Sequence, residues 1–167
     1  MKLLDLMQIA KIRTRKIGSR TKIWFPHWSN IGACEIGHDC VIHSHVWIAN
    51  GVKIGNRVKI QAFSFIPKGV TLEDDVFIGP HVCFTNDRVP PHDVYLPTLV
   101  KRGAAIGANS TIICGVTIGE DSLVGAGSVV TKNVPTHWRV FGNPAKPSMK
   151  SILQTVKEQE NKALGAA

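Results

Sequence analysis

The chain has 167 residues, a length that suits one domain, and 44% of them are hydrophobic, enough to build a core. Its formal charge is +8, but the basic residues are not interleaved with aromatic ones and no groove-reading helix is evident, so a nucleic-acid binder is not expected. No apolar run reaches membrane-spanning length, and the start, Met1 to Met7, is too short and too polar for a signal peptide, which argues against a membrane protein.

In chain order, residues 3–10 read as a short helix. Seven of the twenty basic residues fall in the first twenty-two positions: Lys2, Lys11, Arg13, Arg15, Lys16, Arg20 and Lys22. They read as the solvated edge of a first coil. A basic surface also suits ligands carrying several phosphates.

From Ile36 an aliphatic or aromatic residue recurs at every sixth position: Ile42, Ile48, Ile54, Ile60, Ile66, Leu72, Ile78 and Phe84. After an interruption the pattern resumes at Val100, Ile106, Ile112, Ile118, Val124 and Val130. Period six fits neither an amphipathic helix nor a lone strand. It fits a chain that turns a corner every six residues and stacks on itself every eighteen. Ile36, Ile54 and Leu72 should then form one inward column, and Ile48, Ile66 and Phe84 another. Small residues four positions after the inward one (Cys40, Ser64, Ala104, Ser110, Ser122, Ser128) leave room for tight corners. The step from Ile31 to Ile36 is only five, so one early corner should be tightened or bulged.

Residues 85–99, with three prolines, form a loop that leaves and re-enters the repeat in register. A loop of that length inside a regular stack marks a functional place. Phe141 to Pro147 should leave the solenoid, because two prolines cannot continue ladder bonding. Residues 148–164 read as a terminal helix. The domain reading is thus 1–147 for the solenoid and 148–167 for a helical tail.

Cys34, Cys40, Cys83 and Cys114 show no paired ligand spacing. They read as reduced, small apolar side chains, which favours a reducing, cytoplasmic setting and no metal site.

With the hexads, the loop and the Gly142-Asn143-Pro144-Ala145 ending in view, the chain resembles the hexapeptide-repeat acyltransferases over about residues 17–147. That resemblance implies an all-β, left-handed parallel β-helix, a homotrimer, and acetyl-CoA as acyl donor with no metal required. Further stretches narrow it, among them Phe84-Thr85-Asn86, Leu99 to Ala104, Ile106-Gly107-Ala108-Asn109 and Ile113 to Gly119. Together these are similar to bacterial N-acetyltransferases that act on UDP- or dTDP-linked 3-amino sugars for surface polysaccharide. The loop after Asn86 is shorter than in the uronic-acid-specific members, which leaves the sugar open.

The resemblance also implies roles. N-acetylation needs a neutral amine held against a thioester, and positioning supplies much of the rate. Asn86 matches the family asparagine beside the sugar amine; its amide oxygen can accept from the amine but cannot act as a base. Asp87 is a carboxylate able to take the proton. His45, His81 and Arg88 are expected substrate contacts. For the donor, Ala104, Ala105 and Ala126 should offer backbone amides to the pantetheine arm, and Lys132, Arg139 and Lys146 should meet the phosphates.

Three other readings compete. An O-acetyltransferase of the same fold would need a true base, usually histidine. A metal hydratase of the γ-carbonic-anhydrase type would use a histidine triad, and His38-x4-His43 mimics part of its spacing. A non-catalytic scaffold explains the repeat but not the loop.

Overall fold

The computed structural model describes residues 11–14, 16–90, 96–149, 151 and 153. The helix expected over 3–10 and most of the terminal helix lie outside these residues. The chain is a left-handed parallel β-helix of about seven turns. Short strands, mostly of two residues, form three sheets that are the faces of a triangular prism. The first face stacks Lys11–Ile12, Asn30–Ile31, Trp47–Ile48, Phe65–Ile66, Cys83–Phe84, Thr111–Ile112 and Val129–Val130. The second runs from Lys16–Ile17 to Thr117–Ile118, and the third from Lys22–Ile23 to Arg139–Phe141.

Each strand points one residue inward, so each face adds one column to the core. Ile36, Ile54, Leu72, Val100 and Ile118 are paired rung on rung down the second face. Ile42, Ile60, Ile78, Ile106 and Val124 do the same on the third. These residues are buried, and each fully buried aliphatic side chain contributes about 1.5–3 kcal/mol. The small corner residues are buried too, and their hydroxyls are satisfied: Ser110 Oγ donates to Gly125 O at 3.0 Å and Ser122 Oγ to Gly119 O at 2.7 Å. Cys34 and Cys40 fill equivalent inward places, each two residues before an inward isoleucine, as their spacing implies.

The missing residue near Ile31 is real and is compensated. Ile12 pairs with Ile31 across nineteen positions, whereas Ile31 pairs with Ile48 across seventeen. The extra length bulges out as a 3-10 turn at Pro26–Trp28.

Two boundaries differ from the sequence reading. Thr98 and Leu99 belong to a strand, Thr98–Val100, that pairs with Val70–Leu72. The interruption therefore ends at residue 97, because Thr98 is already a buried ladder residue. The proline-bearing exit does not simply depart either. Arg139–Phe141 still continues the third face, residues 142–145 turn, and Lys146–Pro147 folds back antiparallel on it. Helix then begins at Met149, with Ser148 Oγ accepting from Ser151 N–H at 3.2 Å as a cap.

Candidate active site

The three corners of the prism carry different chemistry. The first corner, between the first and second faces, holds left-handed glycines at Gly51, Gly69 and Gly115 (φ 78°, 89° and 81°). Residues lacking a β-carbon adopt that conformation freely. The interrupting loop leaves here. Its base is tied down: Thr85 N–H donates to Ile112 O at 2.9 Å, and Thr85 Oγ1 accepts from Cys114 N–H at 3.0 Å. Its return is tied by Thr98 Oγ1, which accepts from Gly115 N–H at 3.1 Å. Leu96 lies on Gly115, where a β-carbon would come within 3.1 Å of it.

Asn86 is exposed and Asp87 half-buried at this corner, immediately after the buried Phe84. Arg88 reaches two rungs along the stack, its Nη2 donating to Thr131 O at 3.4 Å. Lys132 follows on the same corner and is exposed. The described start of the loop thus reaches over the later coils through Arg88, and Asn86, Asp87, Arg88 and Lys132 lie along one corner.

The third corner, between the third and first faces, holds His45 and His81. They are part of an exposed ladder of rings. Trp28 meets His45 at 5.3 Å between centroids, His45 stacks on Phe63 at 4.6 Å, and Phe63 stacks on His81 at 4.8 Å. His45, Phe63 and His81 all have left-handed backbone (φ 59°, 62° and 58°), a conformation that costs an ordinary residue about 1–2 kcal/mol. The ladder ends there, since the next corner residues are Asn109 and Gly127. His81 and Asn86 sit at opposite ends of the strand Cys83–Phe84. Five extended residues span about 17 Å, so one protomer does not bring the histidines to the asparagine.

The residues expected to serve the acyl donor divide. Ala104 is buried and gives its N–H to Lys101 O at 3.2 Å; Ala105 gives its N–H to Ser122 O at 2.9 Å. Both amides are engaged within the solenoid of the single chain. Ala126 stands at the third corner beside Gly127, whose missing β-carbon would meet nothing within 4 Å. Arg139 and Lys146 lie at the end of the third face, a face away from Lys132, and both are exposed. The ring of Phe141 covers Gly125 and narrows that approach, a feature the sequence pattern does not signal.

The second corner is an ionic ladder. Arg20 pairs with Asp39, Arg57 with Asp75, and Arg102 with Glu120. The guanidinium hydrogen bonds hold these carboxyls below their usual range. His38 is built into this corner, its Nδ1 accepting from Ser19 N–H at 2.9 Å. His43 follows the other end of the strand Val41–Ile42, so the two histidines of the metal-hydratase spacing do not converge. Among the described residues no group of three or more His, Cys, Asp or Glu could hold a metal ion.

Comparison with known proteins agrees with the geometry. Residues 51–86 and 97–132 match the bacterial transferase hexapeptide (six repeats) family, and the gap between them is the interrupting loop. The matched stretches are the regular coils on either side of that loop, and there the chain is similar to the hexapeptide-repeat transferases. It is 57% identical over 49 residues to the dTDP-3-amino-3,6-dideoxy-alpha-D-galactopyranose 3-N-acetyltransferase of Aneurinibacillus thermoaerophilus, covering 29% of this chain and 26% of that protein. It is 35% identical over 128 residues to the galactoside O-acetyltransferase of Lactococcus lactis, covering 66% of this chain and 59% of that one. The chain therefore spans less than two thirds of either relative. By fold it resembles a point mutant of AntD, an N-acyltransferase from Bacillus cereus, in complex with dTDP and coenzyme A. The TM-score is 0.64 at 20% identity, covering 100% of this chain and 98% of that one.

Proposed function

We propose that this protein is an acetyl-CoA-dependent N-acetyltransferase acting on a nucleotide-linked amino sugar, UDP- or dTDP-linked, at the C3 amine. The product would feed surface polysaccharide such as lipopolysaccharide. The observation that carries this reading is the interrupting loop, anchored at both ends and by Arg88, which presents Asn86 and Asp87 at a corner of a hexapeptide-repeat prism. The 57% identity to a dTDP-3-amino-sugar N-acetyltransferase supports the substrate class.

In this mechanism the sugar nitrogen attacks the thioester carbonyl. The carbon–sulfur bond breaks, coenzyme A leaves as the thiol, and the nitrogen loses one proton. Asn86 accepts a hydrogen bond from the amine and aims its lone pair. Asp87 takes that proton and passes it to the departing sulfur, which leaves Asp87 ionised as at the start. The crevice is shared: the first corner of one protomer, with Asn86, faces the third corner of another, with His81 and Ala126. That arrangement makes the enzyme a homotrimer. It is favoured by the outer surface of the first face, where Trp47 and Phe65 stack at 4.6 Å and Cys83 follows on the next rung; exposed apolar surfaces of this kind mark interfaces. Four free thiols suit the cytoplasm.

The O-acetyltransferase reading is favoured by one observation, the 35% identity over 128 residues to a galactoside O-acetyltransferase. Release of coenzyme A thiol, measured with a panel of UDP- and dTDP-linked 3-amino sugars alongside galactosides and serine, separates the two. Turnover with an amine supports the first; turnover with hydroxyl acceptors alone overturns it.

A further inference from the structure

A second feature of the first corner lies below the loop. The early coils form a cavity of about 420 Å³ there, with Arg13, Lys16 and Lys53 around it and Gly51, Val52 and Cys34 among its floor residues. Val52 and Cys34 are buried, and the left-handed Gly51 leaves open space where a side chain would stand. Among the described residues the one carboxylate in the lining is Glu35, which is bound to Lys16 at 2.5 Å. Its carboxyl is held below the usual range by the Lys16 hydrogen bond and charge, and by the charge of Lys53 as well. The three cations and one anion share one field, leaving two positive charges unmatched.

The geometry points to this cavity as the cradle for the diphosphate of a nucleoside diphosphate, with Arg13 and Lys53 as its principal ligands and Lys16 held in reserve by Glu35. This inference rests on the nucleotide-sugar reading above and adds the residues that grip the nucleotide end. Cations on a concave, partly apolar floor concentrate and orient phosphoryl groups by charge-assisted hydrogen bonds. An apolar floor beside them suits the ribose or base. Position agrees for Lys53, which shares the turn of Gly51, two rungs below the turn of Asn86. Two rungs are about 10 Å, comparable to the reach from a ring amine of a hexose to the phosphates on its anomeric carbon. Arg13 starts two rungs lower still but lines the same cavity. A substrate lying along the corner would thus have its amine at Asn86, its diphosphate entering the cavity at Lys53 and its far end toward Arg13. The basic cluster of the early coils gains a role that a merely solvated edge does not have.

The test is direct binding, independent of turnover. Titration calorimetry of the full chain with dTDP, UDP and inorganic pyrophosphate is compared for wild type, the double variant Arg13→Gln/Lys53→Gln, and the control Lys22→Gln/Lys59→Gln. The control removes the same charge from the third face. Nucleotide affinity is expected to fall at least tenfold in the first variant alone, with coenzyme A affinity unchanged. Unchanged nucleotide affinity overturns the inference, and so does an equal loss in the control, which would reduce the effect to net charge. If Arg13→Gln/Lys53→Gln lowers the melting temperature, the charge-keeping Arg13→Lys/Lys53→Arg must restore nucleotide binding, and failure to restore it also overturns the inference. Absence of acetyl transfer to any amine would sink the proposed reaction while leaving this binding result to stand or fall alone.

Discussion

Phe141 lies against Gly125 so closely that a methyl group on the glycine would overlap Cδ1 of the ring. Phe141 belongs to the last rung of the third face, directly before the reversal at residues 142–145, and Gly125 follows the rung beneath it. Gly125→Ala should therefore push the ring outward, at an overpacking cost of about 1–3 kcal/mol. A melting temperature lower by about 3–10 °C is expected for a chain of this size. Adding Phe141→Ala should recover most of the loss contributed by the clash; a double variant no more stable than Gly125→Ala would refute the contact.

The ring ladder sets stacking against backbone conformation at Phe63. Phe63→Ala and Phe63→Gly both remove the two imidazole contacts, but only glycine adopts φ 62° freely. The glycine variant should be the more stable of the two by about 1 kcal/mol in chemical denaturation. The reverse order would mean that this corner relaxes once the ring is gone.

The ionic ladder predicts a pH dependence. Asp39, Asp75 and Glu120 have carboxyls depressed by Arg20, Arg57 and Arg102 from usual values of 3.8, 3.8 and 4.5. A depressed folded-state pKa adds stability above the unfolded value and loses it as pH falls through the folded value. The melting temperature should be level above about pH 5 and decline below it. Arg57→Gln should melt lower than wild type at neutral pH, and the gap should close toward about pH 3 and in about 1 M salt. A gap that is constant with pH would assign Arg57 a packing role.

The thiols report on assembly. Burial pushes the Cys34 thiol up to about 11, and Cys40 and Cys114 are buried as well. Cys83 is exposed on the apolar first face. Burial raises the Cys83 thiol as well, so at about pH 8 a thiol reagent should label Cys83 alone in dilute protein but more slowly than a free thiol. That labelling should slow further as concentration drives protomers together. Concentration-independent labelling would place the subunit contact on another surface.

Asn86→Ala tests the proposed chemistry. Asn86 is exposed, so the melting temperature and sedimentation should be unchanged within about 1 °C, while turnover should fall by about 10²-fold from lost positioning. Unaltered turnover would return Asn86 to a turn-forming role.

The core is legible in the sequence because one inward residue per strand repeats without exception from Ile36 to Phe84. The loop is legible as a gap in that repeat. Its far end lies two residues earlier than the spacing implies, since Thr98 and Leu99 carry no inward signature until their pairing with Val70 and Thr71 is seen. The corner ladders are written in the sequence at a spacing of eighteen, as His45, Phe63 and His81 and as Arg102 and Glu120. They escape notice because corner positions are usually read for small residues, not for rings or charges. The engaged amides of Ala104 and Ala105 depend on which carbonyl each N–H faces, and residue type says nothing about that. The proposed shared crevice uses two corners, and a single chain's sequence does not tell which corners meet.

The first turn takes nineteen residues and the second seventeen. Each turn settles its odd residue at its own corner, the longer one in the 3-10 turn at Pro26–Trp28, so Ile12, Ile31 and Ile48 stay stacked in one column. Coil length is therefore a local variable in this prism: either turn could be transplanted alone, provided its corner travels with it, and the isoleucines downstream would still face the core.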